Sequence, residues 1–328
     1  MPSPSLLSCP VPALPFPSPW LLAPMEGVTD PTFRDVVLGL HSANDLGGAF
    51  TEFLRVLDRP RQRAEIERHL GPARWPIPVG LQLMGADLGA VGQTARMAAE
   101  LGVPIVDLNF GCPAKGALRG CAGSAQLKDP RGLEAVVRSV VEAVGGLVPT
   151  SAKLRAGFED ASQVEDLVRA AEAGGADLVT LHCRTKVEGY CEEVDWSRIA
   201  RAAAAVDIPL CGNGSAVVHA DLERMRSETG CAYVMVGRGA LADPWMFRAQ
   251  PATRAEGAQF LLDYFDAMVT RSGAPVRGAI SRIKQLLRHW TVGDLVAGRR
   301  KDWLRETDPD ALLARIAGAA ERPSAAPF

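Results

Sequence analysis

Three groups of residues in this chain have types and spacing suited to chemistry. The first is Asn109-Phe110-Gly111-Cys112-Pro113, which sets a thiol between a glycine and a proline just beyond an apolar run. A thiol is mostly protonated at neutral pH, so Cys112 can deliver a proton as a general acid; a small buried apolar residue is the plainer role for any cysteine. The second group is Gln82, Lys153 and His182, each at the polar end of an apolar run. A flavin needs hydrogen-bonding partners along its pyrimidine edge and a cation near N1, and Lys153 suits the latter. A snorkelling lysine, a glutamine bonded to backbone and a core histidine would leave the same trace. The third group is Asn213-Gly214 and Gly237-Arg238-Gly239. Backbone N–H groups in such loops, with the Arg238 guanidinium, can hold a phosphate-bearing cofactor, although two ordinary tight turns would look alike.

These residues must be brought together by the elements that carry them. Eight short apolar runs end in polar residues at Glu26, Glu52, Gln82, Asn109, Lys153, His182, Asn213 and Arg238, about one strand-helix unit apart, with a longer gap between Asn109 and Lys153. Eight parallel units close most naturally into a TIM-type (β/α)8 barrel, whose strand ends open on one face. A doubly wound α/β sheet shares the local pattern, but no GxGxxG follows the first strand. Helices are predicted over Leu88 to Leu101, from Asp129-Pro130 with an N-cap and a first-turn proline, and over Ser162 to Ala173. After Pro244 the alternation stops, and helices are predicted over Gln259 to Thr270, Arg277 to Trp290 and Asp308 to Ala320. The expected organisation is a proline-rich arm over 1–20, a barrel over 21–250 and a small α-helical domain over 251–328.

Composition narrows the class. Only 6% of residues are aromatic, which argues against an all-β sandwich. The seven cysteines are odd in number and form no Cys-x-x-Cys pair, so neither a disulfide framework nor a metal site is indicated, and a reducing cytoplasm is the natural compartment. The first twenty residues hold seven prolines and no Lys or Arg, unlike a secretory signal, and no apolar stretch is long enough for a membrane span. The net charge of −2 hides a segment from Arg271 to Arg305 with nine basic residues against two acidic ones. Such a segment fits a nucleic-acid partner or a solvated helix face.

Taken in order, LLAPMEGVTD, TEFLRVLD, VDLNFGCPAK, SAKLRAG, LHCRTKVEGY, CGNGS and VMVGRGAL are similar to the successive motifs of the tRNA-dihydrouridine synthases, across residues 21 to about 245. TEFLRVLD together with ISRIKQLL resembles the C-type bacterial subgroup, which reduces uridine 16 of the tRNA D-loop. The resemblance implies an FMN-dependent monomer that uses NADPH and binds tRNA. It assigns Pro24, Met25, Glu26, Gln82, Lys153 and His182 to the flavin, and Asn213, Gly214, Ser215, Gly237 and Arg238 to its phosphate. It also implies hydride transfer to C6 of the uracil, with Cys112 as the acid at C5. Asn109, Arg155 and Tyr190 match uracil-contacting positions, and Arg55, Arg282, Lys284 and Arg305 match positions that grip the RNA. The chain departs from the family pattern in the loop KGALRGCAGSAQLKDP, usually richer in glycine, and at Cys183, Cys191 and Ser215.

Two other readings fit parts of the pattern. An FMN barrel acting on a free pyrimidine, as dihydroorotate-type dehydrogenases do, would have no need of the basic tail. A non-catalytic RNA-binding barrel would have no need to keep Cys112, Lys153, Asn109 and Arg155 together.

Overall fold

The computed structural model describes residues 13–72, 74–114, 122–189 and 194–320. Its strands are β1 (Trp20–Leu22), β2 (Gly48–Phe50), β3 (Leu54–Arg55), β4 (Val79–Met84), β5 (Val106–Asn109), β6 (Thr150–Arg155), β7 (Leu178–His182), β8 (Leu210–Asn213) and β9 (Tyr233–Val236). In the sheet they run β2-β1-β9-β8-β7-β6-β5-β4-β3. The fold is a parallel (β/α)8 barrel with a C-terminal α-helical region, as the eight apolar runs predict. The second run splits, because the chain leaves the sheet after Phe50 and returns as the two-residue β3.

The contacts divide the chain into two compact units. The first comprises Met1–Pro15, Phe53–Ile66 and Val79–Cys211. Here β3 to β7 pair in parallel, with Leu54 opposite Leu83, Gln82 opposite Asp107, Asn109 opposite Lys153 and Arg155 opposite His182. The strands are buried on both faces, which is why they read as nearly continuous apolar runs. Helix Leu88–Glu100 begins where the Asp87 carboxylate accepts from the Ala90 N–H at 2.8 Å. Helix Pro130–Val144 packs on it and buries Leu133, Val136, Val137, Val140 and Val144, a single apolar stripe. The expected first-turn proline is there, but Asp129 is no side-chain cap: its backbone sits at φ −135°, ψ 89° and its carboxylate makes no capping bond. Helix Val164–Ala173 starts two residues later than expected, since Ser162 Oγ bonds the Asp160 carboxylate instead.

The second unit comprises Phe16–Glu52, Glu67–Pro78 and Gly212–Phe328. In it β1 pairs with β2 and β9, Leu21 lying opposite both Gly48 and Met235. Phe16, ahead of β1, is buried edge-on to the rings of Phe50 and Tyr233. Helix Arg254–Thr270 starts five residues before the expected Gln259, because Thr253 and Glu256 form a reciprocal capping box. It packs against helix Pro31–Leu38, helix Val276–Leu287 and helix Pro309–Ala320. An aromatic run holds this region: Phe260 stacks on Trp290 at 5.7 Å and on Tyr264 at 6.4 Å, and Tyr264 meets Phe33 edge-on at 5.6 Å. Trp290 lies beyond the end of the helix predicted to reach it, yet is fully buried.

Candidate active site

In a strand successive side chains alternate in direction, so Asp107 and Asn109 of β5 share one face, as do Ser151, Lys153 and Arg155 of β6. Register then sets Gln82, Asp107 and Ser151 level with one another across β4, β5 and β6. The fully buried Asp107 carboxylate accepts from Gln82 Nε2 and from Ser151 Oγ, both at 2.6 Å. Gln82 Oε1 accepts from Asn109 Nδ2 at 2.7 Å. Asn109 Oδ1 in turn accepts from the backbone N–H groups of Gly111 and Cys112, each at 2.9 Å. A continuous polar chain therefore joins a buried carboxylate to the backbone of the candidate acid.

Cys112 is itself buried, 7% exposed, packed with Met84 and Ala122 and against Phe53 and Ala86. Gly123 makes this close packing possible: at φ +61°, a side chain there would meet Cys112 O at 3.0 Å and Met84 Sδ at 3.2 Å. The following Ser124 N–H donates to Cys112 O at 3.1 Å.

Electrostatics follow from burial. Loss of hydration pushes the Asp107 carboxyl up to about 6, against the pull of its bonds from Gln82 and Ser151 and of the Lys153 charge. Burial, with the nearby Arg155 guanidinium, brings the Lys153 ammonium down to about 8, while Asp107 acts in the opposite direction. Lys153 is thus a cation whose proton is held less tightly than usual. His182, at the end of β7, accepts from the Arg184 N–H through Nδ1 at 3.2 Å, which leaves the proton of the neutral ring on Nε2. Arg155 is 3% exposed. Its Nε donates to Gly111 O at 2.8 Å and its Nη1 to Thr185 O at 3.2 Å and Gly189 O at 3.4 Å, so it ties the segment before Cys112 to the segment after β7. Arg198 braces the latter through a paired contact with the Glu188 carboxylate at 2.7 and 2.9 Å.

The phosphate candidates lie in the second unit. Asn213 closes β8 and donates through Nδ2 to Met235 O at 2.7 Å, while Gly214 and Ser215 follow at φ +135° and +56°. Gly237 precedes the short helix Arg238–Ala242, and Arg238 is exposed. Pro24, Met25 and Glu26 lie past the end of β1 rather than in it, in a turn bolted from two sides. Thr29 Oγ1 accepts from the Met25 N–H at 2.8 Å, and Glu52 accepts from the Val28 N–H at 3.1 Å. Glu26 is exposed.

The basic tail is more engaged than its sequence implies. Arg282, 17% exposed, donates to Val28 O at 2.6 Å and to the Asp30 carboxylate at 2.8 Å, and so braces the turn after β1. Lys284 Nζ donates to Glu306 O. Arg305 is exposed in helix Arg300–Arg305, and Arg55 lies on β3. Tyr190, Cys9, Cys121 and Cys191 lie outside the described residues. Among the described residues no group of His, Cys, Asp and Glu could hold a metal, and no helix is long and apolar enough to cross a membrane.

Sequence reasoning passed over Asp107 and the bracing role of Arg282. Asp107 could have been found, since it stands two residues before Asn109 in VDLN and so shares its face. Arg282 could not, because its partners are some 250 residues away.

Comparison with known proteins identifies the family. The chain is 36% identical over 283 residues to the tRNA-dihydrouridine(16) synthase of Aquipseudomonas alcaligenes, spanning 81% of this chain and 88% of that one. It is 40% identical over 231 residues to the enzyme of the same name from Cupriavidus necator, spanning 69% of this chain and 71% of that one. A structure of histamine dehydrogenase from Rhizobium sp. 4-9 superposes with a TM-score of 0.52 at 14% identity, covering 82% of this chain and 49% of that one, a likeness of fold alone. The dihydrouridine synthase (Dus) family model matches residues 21–289, which reaches into both units and takes in every motif described above, and the chain is a member of that family.

Proposed function

We propose that this enzyme reduces uridine 16 of the tRNA D-loop to 5,6-dihydrouridine, with FMN as resident cofactor and NADPH as reductant, acting as a cytoplasmic monomer. Residues 21–250 carry the catalysis, 251–328 dock the tRNA and 1–20 form an arm. The observation that carries this reading is the bonded run Gln82–Asn109–Cys112 in a chain of the dihydrouridine synthase family. Position 16 is supported by the names of the relatives from A. alcaligenes and C. necator.

The donor set suits FMN. The positive φ angles at Gly214 and Ser215, just past β8, belong to a tight loop of the kind that lets a backbone approach a phosphate closely. Lys153 supplies a cation of lowered pKa, suited to a ring that gains negative charge on reduction. Asn213, Gly214, Ser215, Gly237 and Arg238 would hold the phosphate, and Pro24, Met25, Glu26, Gln82, Lys153 and His182 the ring. Bound FMN, once reduced, supplies the hydride that adds to C6 of the uracil.

Cys112 then gives its Sγ proton to C5, completing the saturated ring. Asn109, Arg155 and Tyr190 contact the base, which must leave its stack to be reached. Arg55, Arg282, Lys284 and Arg305 are assigned to the RNA by the same motif match. The test is to incubate the purified protein with FMN, NADPH and unmodified tRNA and to map dihydrouridine by mass spectrometry. The modification should form at position 16. Protein that cannot take up FMN, or dihydrouridine at another position only, would refute the corresponding part of the reading.

A further inference from the structure

The hydrogen bonds around β5 have a fixed polarity. Backbone N–H groups can only donate, so the bonds from Gly111 and Cys112 oblige Asn109 to present Oδ1 to them and Nδ2 to Gln82. Gln82 must then offer Oε1 to Asn109 and Nε2 to residue 107. An acceptor at 107 completes this sequence, and the Asp107 carboxylate is the acceptor present. Its other oxygen accepts from Ser151, outside this run.

We propose that Asp107 is a positioning residue of the active site: through Gln82 and Asn109 its carboxylate sets the backbone of Gly111 and Cys112, and with it the place of the acid. Asp107 touches neither the thiol nor a substrate. It acts by supplying the acceptor that this backbone-imposed polarity turns toward residue 107, and so holds the two side-chain amides in place. Its effect on turnover rests on the function proposed above; its effect on the Cys112 segment does not.

Hydrogen exchange of the holoenzyme separates the two. Asp107→Leu should speed amide exchange at Gly111 and Cys112 roughly tenfold, the loss expected when a buried donor is left unmatched. It should also lower kcat for dihydrouridine formation more than it alters KM for tRNA. Asp107→Asn should restore exchange toward wild type, because its carbonyl still accepts from Gln82 while the Ser151 hydroxyl turns to accept. Ser151→Ala, which removes an equally short bond from the same carboxylate, should leave exchange at Gly111 and Cys112 and turnover unchanged. Equal exchange in Asp107→Leu and Ser151→Ala would overturn the proposal. Should Asp107→Leu fail to fold, Gln82→Leu cuts the same run one link later and must give the same rise; wild-type exchange there overturns it equally. Wild-type protein that forms no dihydrouridine would sink the functional reading while leaving the exchange result standing.

Discussion

Asp107 also makes a quantitative statement about stability. An unfolded aspartate ionises near 3.8, whereas burial in the folded chain raises this one to about 6. Between those values the folded state binds the proton more tightly, so protonation stabilises the fold, and stability falls as pH rises through 6. A tenfold change in proton affinity is worth about 1.4 kcal/mol, so the ionised carboxylate costs about 3 kcal/mol once both states are ionised. Asn at 107 keeps the shape and cannot ionise. Urea unfolding of Asp107→Asn and wild type should therefore show a difference that widens by about 2 kcal/mol in favour of the variant from about pH 4.5 to pH 7.5, below the pH of about 8 at which Lys153 titrates. Any constant offset between them reports hydrogen bonding and drops out of the comparison. A gap of the same size at every pH would refute the assignment of a strained, buried charge to this residue.

Three further outcomes are expected. Cys112→Ala should still bind flavin, seen as an oxidised-flavin absorbance band, yet lose dihydrouridine formation by about 10²- to 10⁴-fold; undiminished turnover would remove it as the acid. Arg282→Ala should lower stability by about 2 kcal/mol, since it unpairs Asp30 and releases the Val28 carbonyl, and a thermal melt identical to wild type would contradict that bracing role. Gly239→Ala would force a methyl group to 2.5 Å from Ala216 O and 2.8 Å from Met246 Sδ; a loss of about 2 kcal/mol or more is expected in denaturant unfolding, and an unchanged midpoint would show that the loop yields freely.

How much of this was legible beforehand depends on the range of the interaction. The strands were legible because each is a short apolar run with a polar end, a property of five or six neighbouring residues. Glu26 and Glu52 lie outside any strand for the same reason: the apolar run continues into the turn after β1 and into the break between β2 and β3. Helix starts failed where a local competitor took the capping group. Ser162 bonds Asp160, whereas Thr253 finds Glu256 and opens its helix early. Within the site, Gln82, Asn109, Lys153 and Cys112 announce themselves by type and position. The role of Arg155 as a tie between two segments depends on register and loop closure, which pattern does not encode.

The occupation of Arg282 changes how the tail's charge should be counted. Of the nine basic residues between Arg271 and Arg305, Arg271 is bound to Asp35, Arg282 to Asp30, Lys284 to Glu306 and Arg300 to the carbonyls of Arg288 and Trp290. Arg277, Arg288, Arg299, Lys301 and Arg305 are the exposed remainder. A polyanion settling on that surface would meet those five cations first, and would gain Arg282 and Lys284, which the motif match assigns to RNA, only by drawing them from Asp30 and from the Glu306 carbonyl, so its affinity would fall less steeply with added salt than nine ready contacts would give.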